Sequence, residues 1–309
     1  MNQPTVETHH RSSAVPARLA EHPARGWASH RRRITLEIAR QALAEIILFG
    51  LGVIMLLPFL WLISGSLKSE AEVFNWPPTL LPTTPHWENY PRALTILPFN
   101  LFFRNTLIIA VLATVGTTIS SSLVAFALAR LRFPGRRLIF GLVLSTMMLP
   151  GIVTMIPKFI LFKQLGWVDT WQPLWVPDFF GSPFYIFLMR QFFLTMPLEL
   201  DEAARVDGAS NWRIWAQIDL PLAVPAVATV AVFTFVFNWN DFLGPLIYLN
   251  TMEKRTVALG LAAFNGIYSA EYNLMLAASV AAIVPVLVVF FCAQRFFVKG
   301  IVMSGIAGR

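Results

Sequence analysis

The sequence predicts an all-α, polytopic membrane protein with six transmembrane helices and one long, patterned cytoplasmic loop. Three observations lead there. The 309 residues are 56% hydrophobic and only 13% charged, with a mean hydropathy of +0.61. A soluble domain carries about 25% charged residues and uses them to cover its surface. Five stretches of at least 20 residues lack Asp, Glu, Lys and Arg altogether, and about 20 apolar residues suffice for one helical crossing. Finally, the basic residues are sorted between alternate connections. The same composition excludes a disordered chain, a collagen-like fibre and a disulfide-rich secreted module.

Residues 1–42 form a polar, basic extension in which Arg11, Arg18, Arg25, Arg31, Arg32, Arg33 and Arg40 precede the first apolar run. The net charge of +7 therefore reads as topogenic rather than as a nucleic-acid signal, because basic residues flank spans on the cytoplasmic side. The run that follows has no small-residue cleavage site and reads as an uncleaved anchor. Five further spans weigh against a twin-arginine export signal at Arg31–Arg33.

The membrane domain, 43–309, contains the charge-free stretches Ile46–Leu67, Asn105–Ala129, Leu138–Pro157, Leu220–Asn240 and Tyr272–Gln294. A sixth candidate, Thr170–Met196, is interrupted by Asp178 and Arg190; Pro173, Pro177 and Pro183 crowd its start. Its entry is expected to be irregular, with the spanning part beginning near Phe184. Placing both termini inside puts 17 of the 24 Lys and Arg residues on the cytoplasmic side, as the positive-inside rule requires. Outside, Ser69–Phe103 carries six prolines with Trp76 and Trp87, which predicts a compact loop at the interface rather than a long helix. Ser121, Ala125 and Ala129 make a small-residue stripe, expected to serve packing within the chain.

Several chemistries are missing. The five histidines, His9, His10, His22, His30 and His86, all lie outside the spans, and Cys292 is alone. These exclude intramembrane histidine relays, an intrachain disulfide and a zinc site. No GxxxxGK[ST] loop occurs, so the chain is not itself a P-loop ATPase. No catalytic triad or metal cluster is visible, and the chain is not read as an enzyme.

The informative segment is Pro197–Pro221, PLELDEAARVDGASNWRIWAQIDLP. Glu199, Asp201 and Glu202 suit the first turn of a helix, where the dipole favours acids. Gly208 can end it at positive φ. Ser210 can cap a second helix carrying Trp212, Ile214, Trp215 and Ile218, with Pro221 closing it. Two readings follow. One is an amphipathic hairpin on lipid headgroups; the other is a docking element for a partner with an apolar groove and basic rim. The acids weigh mildly against lipid, because the cytoplasmic leaflet is negative.

The spacing Glu202-Ala203-Ala204, three residues, Gly208, nine residues, Ile218, one residue, Leu220-Pro221 resembles the EAA-x3-G-x9-I-x-L-P motif of permease subunits in bacterial ABC importers. The stretch Asn238–Leu246 is similar to the fifth span of carbohydrate-importer permeases of the smaller, maltose-type kind. Thr106-Leu107, the Pro150–Pro157 region and Arg295–Gly300 also fit. The resemblance covers about Ile46 to Gly305 and leaves the N-terminal extension outside.

That resemblance implies half of a translocation pathway for a sugar, most simply a di- or oligosaccharide. It implies a second homologous permease subunit as heterodimer partner, two cytoplasmic ATP-binding subunits, and an extracytoplasmic solute-binding protein. ATP belongs to the ATPase, and the chain itself needs no cofactor. Glu202 would pair with a basic group of the ATPase and Ala203–Ala204 would allow close packing. Gly208 would make the turn, and Ile218 with Leu220–Pro221 would lead rigidly into the fifth span. Glycerol 3-phosphate or a glycerophosphodiester is the alternative substrate, and a stand-alone secondary carrier or structural anchor the alternative class.

Asn238, Trp239, Asn240 and Asp241 leave two readings open. Amides and an aromatic ring suit a sugar in the pathway, and an intramembrane carboxylate faces a partner or water. Equally, the group suits a helix-terminal cluster with Trp239 at headgroup level.

Overall fold

The computed structural model describes the backbone over residues 24–267 and 271–306, and side chains over 37–264 and 271–296. His9, His10, His22, Arg11, Arg18 and Arg309 lie outside the described residues. The chain divides into two units, Met1–Phe59 and Leu60–Arg309.

Helix α1 runs Ala24–Ser66, so residues 24–42 of the basic extension are helical and continuous with the first apolar run. The proline-rich loop after it carries two short helices, α2 (Glu70–Val73) and α3 (Asn89–Ile96). It is compact, as its prolines predicted, and polar groups hold it. Glu72 accepts from the Thr83 amide at 2.8 Å and hydroxyl at 2.9 Å. The Asn89 amide donates to the carbonyls of Ser66 and Lys68, both at 2.9 Å. Lys68 donates to the Thr79 carbonyl. These bonds satisfy backbone groups that a proline-rich segment cannot pair within itself.

Helix α4 (Phe99–Arg130) is the centre of the second unit. It stops because Pro134 disfavours helical geometry in the residue before it and Gly135 turns the chain at φ +79°. Helices α5 (Arg136–Ser145) and α6 (Gly151–Gln164) follow, then α7 (Gln172–Trp175), a 3-10 turn at Val176–Phe180 and α8 (Pro183–Thr195). Next come α9 (Glu199–Val206), α10 (Asn211–Ile214), a π turn at Trp215–Asp219 and α11 (Leu220–Leu222). The chain continues through α12 (Val224–Trp239), α13 (Leu243–Tyr248), α14 (Val257–Ile267) and α15 (Tyr272–Ile306). No strand occurs among the described residues.

The expected six crossings differ in form. Three helices are long and apolar enough to span alone: Glu37–Ser66, Phe99–Arg130 and Tyr272–Phe296. The third crossing is a broken pair, Arg136–Met148 and Gly151–Gln164, bent by 98°. Pro150 is the cause, since it holds Leu149 extended at ψ 115° and cannot donate to the helix before it. At the fifth, α12 (Val224–Trp239) carries the crossing and meets the hairpin segment Asn211–Leu222 at an 81° bend at Ala223, ahead of Pro225. Helix α8 has 13 residues, about 20 Å at 1.5 Å per residue, and covers the core only together with the irregular segment before it. That segment and its end near Phe184 follow the sequence expectation.

Packing centres on α4, which lies against α8 and α12. Ala125, Phe126 and Ala129 meet Met189 and Phe193 of α8 and Ala226 and Val230 of α12. The small-residue stripe therefore serves packing inside the chain. Ser121, also fully buried, accepts a hydrogen bond from the Ser182 amide at 3.1 Å. Asp169 joins the α6–α7 connection to the chain after α13. Its carboxylate accepts from the Asn250 and Thr251 amides, both at 2.9 Å, and pairs with Lys254 at 3.0 Å.

Candidate functional site

The segment Pro197–Pro221 folds as two short helices around a glycine turn. Helix α9 begins at Glu199 with three acids in its first turn and ends at Asp207. Gly208 has φ +80° with open space around its Cα. A left-handed residue is required there, and glycine adopts it without the steric cost of a Cβ. The Ser210 hydroxyl then accepts from the Arg213 amide at 3.3 Å, capping α10. Turn, cap and first helix stand where the sequence put them.

The second helix does not end at Pro221. It continues through the π turn Trp215–Asp219 into Leu220–Leu222, and the Leu220 amide bonds five residues back to the Trp215 carbonyl. The wider π turn resets the hydrogen-bond register ahead of Pro221, so the proline sits in the first turn of the next short helix and not in an unbroken α-ladder. The chain breaks instead at Ala223.

The segment has distinct inner and outer faces. Ala204, Ile214 and Trp215 are buried against α4, α8 and α12. Glu202, Ala203, Arg205, Val206, Gly208 and Trp212 are exposed; Val206 retains 88% of its surface. Ile218 and Leu220 are half-buried beside the same core, and Pro221 is exposed. The expected coupling residues thus share one short segment with different orientations: Glu202 and Ala203 face out, whereas Ala204 anchors. Beside Glu202 opens a cavity of about 710 Å³, lined by Arg130, Arg132, Arg136, Arg205 and Asn211 among others.

Sequence reasoning missed a buried ion cluster beneath this segment. Arg130, read as one of several topogenic arginines, has a side chain only 1% exposed. Its Nε lies 3.5 Å from Oδ2 of both Asp201 and Asp219, carboxylates that are themselves buried. Its Nη1 donates to the Met196 carbonyl at 3.2 Å. Burial, reinforced by the like charge of Asp201, pushes the Asp219 carboxyl up to about 6 against the opposing pull of Arg130. The one available signal was Asp219 itself, a lone acid between Ile218 and Leu220.

The group at the end of α12 is divided. Trp239 is buried; its indole N–H donates to the Ala282 carbonyl at 3.0 Å and its ring stacks on Phe235 at 5.5 Å. It sits inside the chain's own core. Asn238 and Asn240 each donate to the carbonyl four residues back, at 3.0 and 2.8 Å. Asp241 accepts from the Gly244 amide in the first turn of α13 at 3.2 Å. A Cβ at Gly244 would collide with this carboxylate.

The chain is thus a helical membrane protein with an acidic, partly apolar hairpin beside its spans. The model of the family described as "binding-protein-dependent transport system inner membrane component" matches residues 120–301. The chain is 34% identical to the diacetylchitobiose uptake system permease protein NgcG of Streptomyces coelicolor, covering 88% of this chain and 89% of that one. It is 33% identical to the trehalose/maltose transport system permease protein MalG of Thermococcus litoralis, over 88% and 99%. It is 35% identical to the sn-glycerol-3-phosphate transport system permease protein UgpE of Salmonella typhimurium, over 84% and 94%. A solved bacterial ABC transporter involved in import of the acidic polysaccharide alginate contains a chain of the same fold, with a TM-score of 0.74 and 26% identity, over 84% of this chain and 97% of that one.

The chain belongs to the binding-protein-dependent transport system inner membrane component family. It is a multi-pass permease of an ABC importer, a transport component and not an enzyme.

Proposed function

We propose that this permease forms half of the inner-membrane pathway through which a di- or oligosaccharide is imported. The observation that carries the reading is the two-faced hairpin on a chain whose relatives include permeases named for diacetylchitobiose and for trehalose/maltose. In the proposed assembly a second homologous permease completes the pore and two cytoplasmic ATPase subunits bind the ATP. An extracytoplasmic solute-binding protein delivers the sugar, and both termini face the cytoplasm. Residues 1–42 are an appendage to the permease domain at 43–309.

Exposed Glu202 pairs with a basic group of the ATPase. Ala203 leaves room for close approach, and Val206 and Trp212 supply apolar contacts for its cleft. Gly208 holds the two helices at their angle, while Ala204, Ile218, Leu220 and Pro221 join the hairpin to the core and to α12. Closure of the ATPase pair would then move the spans. Among Asn238–Asp241, the half-buried Asn238 and Asp241 and the exposed Asn240 are the candidates to meet substrate; Trp239 supports them from behind.

Reconstituting the permease pair with its ATPase and binding protein tests this. ATP-dependent uptake of a di- or oligosaccharide is expected. Preferred uptake of glycerol 3-phosphate would move the chain to the alternative substrate that UgpE represents. Uptake driven by an ion gradient without ATP would overturn the coupling mechanism.

A further inference from the structure

The buried cluster under the hairpin joins parts of the chain that the hairpin must move. Arg130 is the last residue of α4, Met196 caps α8, Asp201 lies in the first helix of the hairpin, and Asp219 ends the π turn that leads towards α12. A single guanidinium therefore holds both ends of the coupling segment, at 3.5 Å each, and the end of a neighbouring helix through Met196. On one side lies a buried apolar cluster that includes Ala129, Ala204, Ile214, Trp215 and Ala223, and on the other Arg130 borders the cavity beside Glu202. The contacts to Asp201 and Asp219 are ion pairs without a hydrogen bond, and removing one partner strands a buried charge. Arg suits the role because its planar fork addresses several acceptors at once.

We propose that Arg130 is a positioning residue for transport, clamping both ends of the coupling segment to the cytoplasmic end of α4. A push on the exposed Glu202 face is thereby delivered to the central helix and not absorbed by bending at Gly208 or Ala223. The inference builds on the coupling mechanism proposed above.

The test uses the complete transporter in proteoliposomes, with binding protein and sugar, and reads molecules imported per ATP hydrolysed. Arg130→Met alone strands two carboxylates and can fail to fold. The apolar triple variant Arg130→Met/Asp201→Leu/Asp219→Leu strands none, because a buried ion cluster can be replaced by apolar groups without loss of stability. A tenfold or greater drop in import per ATP is expected for the triple variant, with partial recovery when Arg130→Lys is tested in the otherwise native chain. A ratio within twofold of the native transporter would reduce the cluster to a structural feature and overturn the proposal. Should the triple variant not assemble, Asp219→Leu decides: it keeps the Arg130–Asp201 pair and frees one end, so a fall of about threefold supports the clamp and an unchanged ratio overturns it. If the native chain retains no ATPase on purification, the failure lies with the coupling mechanism and not with the clamp.

Discussion

At the scale of single residues, burial separates roles that the sequence left mixed. Glu202 and Asp201 are neighbours in one acidic turn, yet one faces solvent and the other is sealed beneath the hairpin. Glu202→Lys is therefore expected to abolish uptake and ATPase co-purification while leaving stability within about 0.5 kcal/mol, as for other exposed substitutions; thermal unfolding beside pull-down measures both. Gly208→Ala meets no neighbour but forces an L-residue to φ +80°, at a cost of about 1–2 kcal/mol, visible as a lowered melting temperature. Trp239→Ala empties a packed site and is expected to cost about 3–5 kcal/mol. The variant that still assembles should show an unchanged KM for sugar, whereas a selective rise in KM would place the ring in the pathway. The turn at Gly208 and the cap at Ser210 were legible because backbone geometry restricts which residues fit. Arg130, Asp201 and Asp219 were not, because no local rule tells a buried charge from a solvated one.

Among elements, the prolines show where sequence patterning reaches and where it stops. Hydropathy marks Leu138–Pro157 and Leu220–Asn240 as long enough to span, but only the coordinates show bends of 98° and 81°. Pro150 and Pro225 make a break possible, and the angle depends on what packs around it. The π turn at Trp215–Asp219 was equally unreadable, since its hydrogen-bond shift leaves no compositional trace.

Connections between elements also set the acid response. Hydrogen bonds from Thr251 and the Lys254 pair hold the Asp169 carboxyl well below the usual carboxylate range. A depressed value means stability that is fully present above the unfolded-state value near about 3.9 and lost only as pH falls through the folded-state value. Lowering the pH from 7 to 5 should therefore leave this clamp intact, whereas Asp169→Ala should lower the melting temperature at both pH values. An Asp169→Ala chain melting with the native one would remove the clamp from the stabilising contacts. Asp219 behaves oppositely. Its value is raised to about 6 beside Asp201 and Arg130, so the folded state binds the extra proton. Its contribution is fully present below the unfolded-state value and lost as pH rises through about 6. Asp219→Asn mimics the protonated form and should flatten the pH dependence of melting between about 4 and 6; an unchanged slope would assign that dependence to another group.

For the whole molecule, the charge asymmetry that first suggested orientation is the same asymmetry the coupling site requires. If 17 of 24 basic residues face the cytoplasm, the hairpin at Glu199–Leu222 lies there too, within reach of an ATPase, and the loop of α2 and α3 lies outside, within reach of a binding protein. One inversion would defeat both contacts together. The arrangement can be checked without substrate. In a Cys292→Ser background, Thr84→Cys in the external loop and Asp207→Cys at the end of α9 both place a thiol at an exposed position. A membrane-impermeant maleimide applied to spheroplasts should label Thr84→Cys and leave Asp207→Cys unmodified until the membrane is opened. The reverse pattern would place the hairpin outside, where no ATP is available. The coupling mechanism and the Arg130 clamp would then fall together, while the helical fold would stand.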